Sequence, residues 1–242
     1  MHNPQSLAES QLRADHSMFR IKICGITRTS DAIAAVNAGA DAIGLNFYPG
    51  SKRYVSSELA RDLANSVGHG VAKVGVFVNC PVVEIAEIAK TAGLNWVQLH
   101  GDEPPEILNQ IDAQFRILRA YRVRQADLAP VVADLAACRA AGRLPDAILI
   151  DSAVPGEYGG TGTKGPGIDV SRDVSKEDDT LYGIPLILAG GLTPENVAEA
   201  IRKSCPHGVD VASGVESSPG VKDPIKVNRF VSEARRALGE LS

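Results

Sequence analysis

A thiol, a carboxyl and a pair of adjacent cations stand at the ends of short apolar runs, where a side chain can meet a substrate. The first run closes on Lys22-Ile23-Cys24-Gly25-Ile26-Thr27. A cysteine in that position is either a small core residue or a base or nucleophile. Strand alternation sets Lys22 and Cys24 on one face, opposite Phe19, Ile21 and Ile23. An ammonium beside the thiol is expected to lower its pKa from about 8.5, and a drop of about 1.5 units leaves roughly half of it as thiolate. Asp151 ends a later run, and a partly buried carboxyl serves as a general acid when its pKa is raised. The stretch Asn46 to Tyr54 carries Lys52 and Arg53 side by side. An arginine fork matches a carboxylate or a phosphate at two points, although such pairs also occur on ordinary solvated loops.

Glycine-bearing loops supply a second kind of chemistry. Gly160 and Gly162 follow Asp151, Gly190 and Gly191 lie in Leu188 to Thr193, and Ser213-Gly214 lies in Ala212 to Glu216. Backbone N–H groups in such loops can approach an anion closely. Loops after the seventh and eighth strands of a β/α barrel are a common phosphate site. The loops with Gly190-Gly191 and Ser213-Gly214 are therefore the expected phosphate site, and the loop with Gly160 and Gly162 is a further place where an anion could be approached.

The elements that must position these groups are legible as alternating apolar runs and helical patterns. Strands are expected at 19–24, 41–47, 72–78, 95–100, 116–121, 146–151, 184–189 and 208–212. Helices are expected at 30–38, 56–67, 81–92, 104–111, 125–141, about 168–182, 194–204 and 224–239. Ser56-Ser57-Glu58 and Thr193-Pro194-Glu195 read as helix starts. Eight such repeats predict an α/β protein, a single (β/α)8 TIM barrel; an open doubly wound sheet is the alternative. Several strands carry a polar residue out of phase with their apolar face. Gln98 and His100 oppose Val97 and Leu99, Asp210 opposes Val209 and Val211, and Asp151 shares a face with Leu149. In a barrel that face is the lumen, so Lys22, Asn46, Gln98, His100 and Asp210 join Arg53 as expected substrate contacts.

The chain has 242 residues, 44% hydrophobic and 22% charged, with a formal net charge of −4. That size suits one barrel, and that charge gives no case for a nucleic-acid partner. No run of about 18 apolar residues suggests a membrane span. Residues 1–17 read as a disordered lead-in without a signal peptide, leaving 18–242 as one catalytic domain and a cytoplasmic location. The cysteines Cys24, Cys80, Cys138 and Cys205 are too dispersed for a disulfide framework, and no histidine pair has metal-ligand spacing. Neither a catalytic metal nor a cofactor is expected. Monomer and homodimer are both open.

Taken in order, these segments resemble the phosphoribosylanthranilate isomerase family. The matching stretches are 22–27, 39–55, 74–79, 97–103, 159–162, 189–197 and 208–223, and the likeness runs from residue 20 to about 240. The resemblance implies a barrel without metal or cofactor. It implies a small phosphosugar substrate, rearranged from an N-(5′-phosphoribosyl) amine to a 1-deoxyribulose 5-phosphate. It also implies Cys24 as catalytic base, Asp151 as catalytic acid and Arg53 as partner of the anthranilate carboxylate. Thr163 to Gly167 departs from the family pattern as a small insertion. Two other phosphate-binding barrels, indole-3-glycerol-phosphate synthase and ribulose-phosphate epimerase, would need a lysine–glutamate set or a metal with carboxylates and histidines. A non-catalytic phosphate-binding barrel would not need both Cys24 and Asp151.

Overall fold

The structure, a computed structural model, describes residues 18–123, 127–151 and 181–241. The 1–17 lead-in, the 163–167 insertion and all but the last two residues of the helix expected over about 168–182 lie outside the described residues. Eight parallel strands close into a barrel in the order β1 to β8. They are β1 Ile21–Cys24, β2 Ala42–Asn46, β3 Ala72–Phe77, β4 Trp96–Leu99, β5 Arg116–Arg122, β6 Ala147–Asp151, β7 Leu186–Ala189 and β8 Gly208–Val211. The helices among the described residues are α1 Thr29–Asn37, α2 Ser57–Asn65, α3 Val82–Ala92, α4 Ala129–Ala141, α5 Val197–Ser204 and α6 Pro224–Glu240. No helix among them is long and apolar enough to cross a membrane.

Alternation along each strand sorts the apolar residues into two layers. Ile21, Ile23, Ile43, Leu45, Val97, Leu99, Ile148, Ile150, Val209 and Val211 pack outward under the helices. Ala42, Val74, Trp96, Leu118, Ala147, Leu149 and Ile187 fill the lumen. Each large apolar side chain so buried contributes about 1.5–3 kcal/mol. This apolar plug occupies the N-terminal part of the barrel and leaves the C-terminal mouth to polar side chains. Phe19 departs from the expected outward face. It lies before β1, where strand alternation does not yet bind it, and its ring meets Trp96 edge-on at 5.2 Å inside the lumen cluster.

Several helix boundaries moved. Ser56 caps α2 as expected, its Oγ accepting the Leu59 N–H at 3.3 Å. Asp223 caps α6 in the same way. The span 104–111 holds only a 3-10 turn, Pro105–Asn109, entered through Pro104 and Pro105. The helix expected from 194 starts at Val197. Asn196 folds back, accepting the Thr193 N–H at 2.8 Å and donating to the Gly191 carbonyl at 2.9 Å, so Pro194 to Asn196 remain a turn. Beyond β8 the chain makes a short hairpin with no counterpart in the expected elements, β9 Glu216–Ser218 and β10 Val221–Lys222.

Candidate active site

The barrel closes by pairing β1 with β8, and the register sets Lys22 directly beside Asp210. The consequence is a buried ion pair, Lys22 Nζ to Asp210 Oδ1 at 2.8 Å. Burial opposes the lysine's charge, but the carboxylate of Asp210 and the Cys24 thiol outweigh it, and the Lys22 pKa ends above its ordinary value. Cys24 follows on the same face of β1 and is partly exposed. Here the sequence expectation needs correction. Burial raises the thiol pKa more than the Lys22 ammonium lowers it, and Asp210 adds to the rise. The neighbouring cation is present, but its pull is divided between thiol and carboxylate.

On the opposite wall, Asp151 ends β6. Its Oδ2 lies 3.7 Å from His100 Nε2, just beyond the end of β4. The other ring nitrogen of His100 meets Gln98 Nε2 at 2.9 Å. With the amide nitrogen donating, Nδ1 accepts and Nε2 carries the proton toward Asp151. Gln98 is only 1% exposed, and its Oε1 is buried without a hydrogen-bond partner among the described residues. Gln98 therefore supports His100 through the hydrogen bond from its amide nitrogen. Glu103 fixes the loop that carries this pair. Its carboxylate accepts the N–H of Asn79 at 2.8 Å and of Gly101 at 3.0 Å, joining the loops after β3 and β4.

Arg53 lies in the loop after β2, and its fork is already engaged. Nε and Nη2 donate to the two oxygens of Glu216 at 2.7 and 2.6 Å. Arg53 was expected as an open anion fork; the structure leaves only its remaining N–H groups for a ligand. Glu216 also accepts from Lys222 Nζ at 2.9 Å. Burial alone would raise the Glu216 pKa, but Arg53 and Lys222 hold it below the ordinary carboxylate range. Asn46 spends its side-chain oxygen on the Tyr48 N–H at 2.9 Å, shaping the start of the same loop.

The loops after β7 and β8 meet closely. A side chain at Gly214 would place its Cβ 1.9 Å from the Leu192 carbonyl oxygen, so only glycine allows this approach. Gly190 and Gly191 stand in consecutive left-handed conformations, with φ of 89° and 63°. Ser213 opens a 3-10 turn, Ser213–Val215. Gly160 and Gly162 lie outside the described residues. The structure thus brings Lys22, Cys24 and Asp210 together on one wall, and Gln98, His100 and Asp151 on another. Glu103, Glu216 and Lys222 were missed as site residues. Charged residues within the motif stretches 97–103 and 208–223 were the available signal, but a lone charge in a loop reads as solvated. Among the described residues, no three His, Cys, Asp or Glu side chains gather as a metal site.

A family model described as N-(5′-phosphoribosyl)anthranilate (PRA) isomerase matches residues 21–233. The N-(5′-phosphoribosyl)anthranilate isomerase of Trichlorobacter lovleyi is 42% identical over 221 residues, covering 91% of this chain and 100% of that protein. The crystal structure of phosphoribosyl anthranilate isomerase from Thermotoga maritima superposes with a TM-score of 0.76 at 39% identity, covering 90% of this chain and 100% of that one. A further phosphoribosyl anthranilate isomerase structure holds reduced 1-(o-carboxyphenylamino)-1-deoxyribulose 5-phosphate. It matches with a TM-score of 0.74 at 36% identity, over 90% of this chain and 100% of that one.

Proposed function

The chain belongs to the N-(5′-phosphoribosyl)anthranilate isomerase family, and from that premise we propose how its residues divide the reaction. The enzyme converts N-(5′-phosphoribosyl)anthranilate into 1-(2-carboxyphenylamino)-1-deoxyribulose 5-phosphate, an Amadori rearrangement in tryptophan biosynthesis. Asp151 protonates the furanose ring oxygen; the C1′–O bond breaks and the amine nitrogen forms a Schiff base with C1′. That electron sink acidifies the C2′ proton, and Cys24 as thiolate removes it. The resulting enolamine takes a proton at C1′ and loses one from the C2′ hydroxyl, leaving the ketone. Each positioned acid or base contributes ~10²–10⁴ in rate.

The observation that carries this reading is the C-terminal mouth of one closed barrel, with Cys24 ending β1 and Asp151 ending β6. The Lys22 ammonium is the cation that favours the thiolate, against the burial that opposes it. His100 Nε2–H faces the carboxylate that forms when Asp151 gives up its proton, at a distance that can shorten in the complex. The remaining N–H groups of Arg53 receive the anthranilate carboxylate. The glycine loops around Gly160 and Gly162, Gly190 and Gly191, and Ser213 and Gly214 receive the phosphate. Anchors at both ends of the substrate hold C2′ at the thiolate. The reading carries with it a cytoplasmic enzyme, monomeric or homodimeric, that acts on a free small molecule without nucleic-acid or membrane partners.

The test is Asp151→Asn. Turnover should be abolished while calorimetry still detects binding of the reduced product analogue. Near-normal turnover would remove the carboxyl from the chemistry, and loss of fold would make its role structural.

A further inference from the structure

The side chain of Arg53 crosses directly over Gly25, the residue after Cys24. A Cβ at Gly25 would lie 2.3 Å from Arg53 Cδ. The guanidinium therefore reaches the mouth beside the thiol, and its orientation there is set by Glu216 through two hydrogen bonds. Behind Glu216 lies Lys222, whose side chain has 0% exposure. Its ammonium donates to Glu216 Oε1 at 2.9 Å and to the Ala212 carbonyl at 3.0 Å, just before Ser213-Gly214.

Two cations thus share one carboxylate, which leaves the buried unit one negative charge short. At the edge of this unit Asp31 accepts the Lys222 backbone N–H, and the half-buried Lys226 donates to the Glu216 carbonyl. The adjacent Lys22–Asp210 pair is neutral in sum. A buried unit with surplus charge is costly until an anion completes it. Burial, with a smaller push from Arg53, holds Lys222 below the ordinary lysine range despite the pull of Glu216.

We propose that Lys222 is a positioning residue for substrate recognition. By sharing Glu216 with Arg53, it leaves the guanidinium incompletely neutralised and electropositive toward the benzoate end of the substrate. Lys222 does not touch the ligand; it acts through Glu216. The alternative anion is the substrate's phosphate, because Lys222 also holds Ala212 at the entry to the phosphate loop. The proposal rests on the assignment of Arg53 to the carboxylate, so the experiment separates the two.

Calorimetry with the wild type, Lys222→Gln and Arg53→Ala would use two probes. One is the reduced product analogue; the other is the same molecule with phenyl in place of carboxyphenyl. Lys222→Gln should weaken the carboxylate-bearing probe about tenfold and the phenyl probe less than about twofold, an effect of the size expected for one nearby charge. Equal weakening of both probes, or of neither, overturns the proposal and points to the phosphate loop or to a structural role. Arg53→Ala should weaken the carboxylate-bearing probe more than the phenyl probe, and equal weakening of both would overturn the Arg53 assignment itself. If Lys222→Gln does not fold, Lys222→Met repeats the measurement with the aliphatic stem retained; loss of fold in both makes Lys222 structural and ends the proposal.

Discussion

At the scale of residues, the chemistry depends on a thiol that its surroundings hold protonated. Burial dominates at Cys24, so its pKa lies above the ordinary thiol value. The base form accumulates only as pH approaches that raised value, and kcat/KM, which reports the free enzyme, should keep climbing from neutral into alkaline pH. A plateau already reached at neutral pH would show that the thiolate is favoured more strongly than this geometry allows. Arg53→Ala should raise KM about tenfold or more with a smaller change in kcat, because its contact with the carboxylate persists through the reaction; an unchanged KM would return that loop to a structural role. Cys24 and Asp151 could be singled out from the chain because polar residues at strand ends break an apolar pattern, and Arg53 because it stands beside Lys52 in a loop that follows a strand. Glu216 and Lys222 could not, since their meaning lies in partners: Arg53 is 163 residues away from Glu216. The direction of the Cys24 shift was missed for the same reason, because burial is a property of the assembled lumen.

At the scale of elements, strands and strand faces were legible and connections were not. Ile148 and Ile150 face outward while Leu149 and Asp151 face the lumen, as alternation requires. The hairpin β9–β10 was invisible because its strands are too short for any period to register. Its role is to carry Glu216 and Lys222 under the loop after β2. The loops after β7 and β8 depend on one another, since Gly214 lies against the Leu192 carbonyl. Gly214→Ala should push these loops apart and weaken inhibition by inorganic phosphate about tenfold or more, given ~1–3 kcal/mol for overpacking. Unchanged phosphate inhibition would separate this contact from the anion site.

At the scale of the molecule, barrel closure and active site share one ion pair. Lys22 and Asp210 lie 188 residues apart and meet only where β1 closes on β8. The count of repeats predicted a barrel, but this seam follows from register and could not be read along the chain. Lys22→Met leaves Asp210 buried without its partner and should cost about 3–5 kcal/mol in urea unfolding; a loss within ~0.5 kcal/mol would show the seam closes without it. Acid sensitivity has a source in Glu216, whose folded pKa lies below its ordinary value of 4.5. Its contribution is complete above that ordinary value and is lost as pH falls through the lower folded one. Glu216→Gln should therefore flatten the acid limb of stability against pH, and an unaltered limb would assign it to other carboxylates. The account as a whole turns on the thiol as base, and the most direct measurement is steady-state turnover of N-(5′-phosphoribosyl)anthranilate by Cys24→Ala. It predicts a fall in kcat of at least ~10² with KM little changed; a kcat within a few-fold of wild type would contradict it.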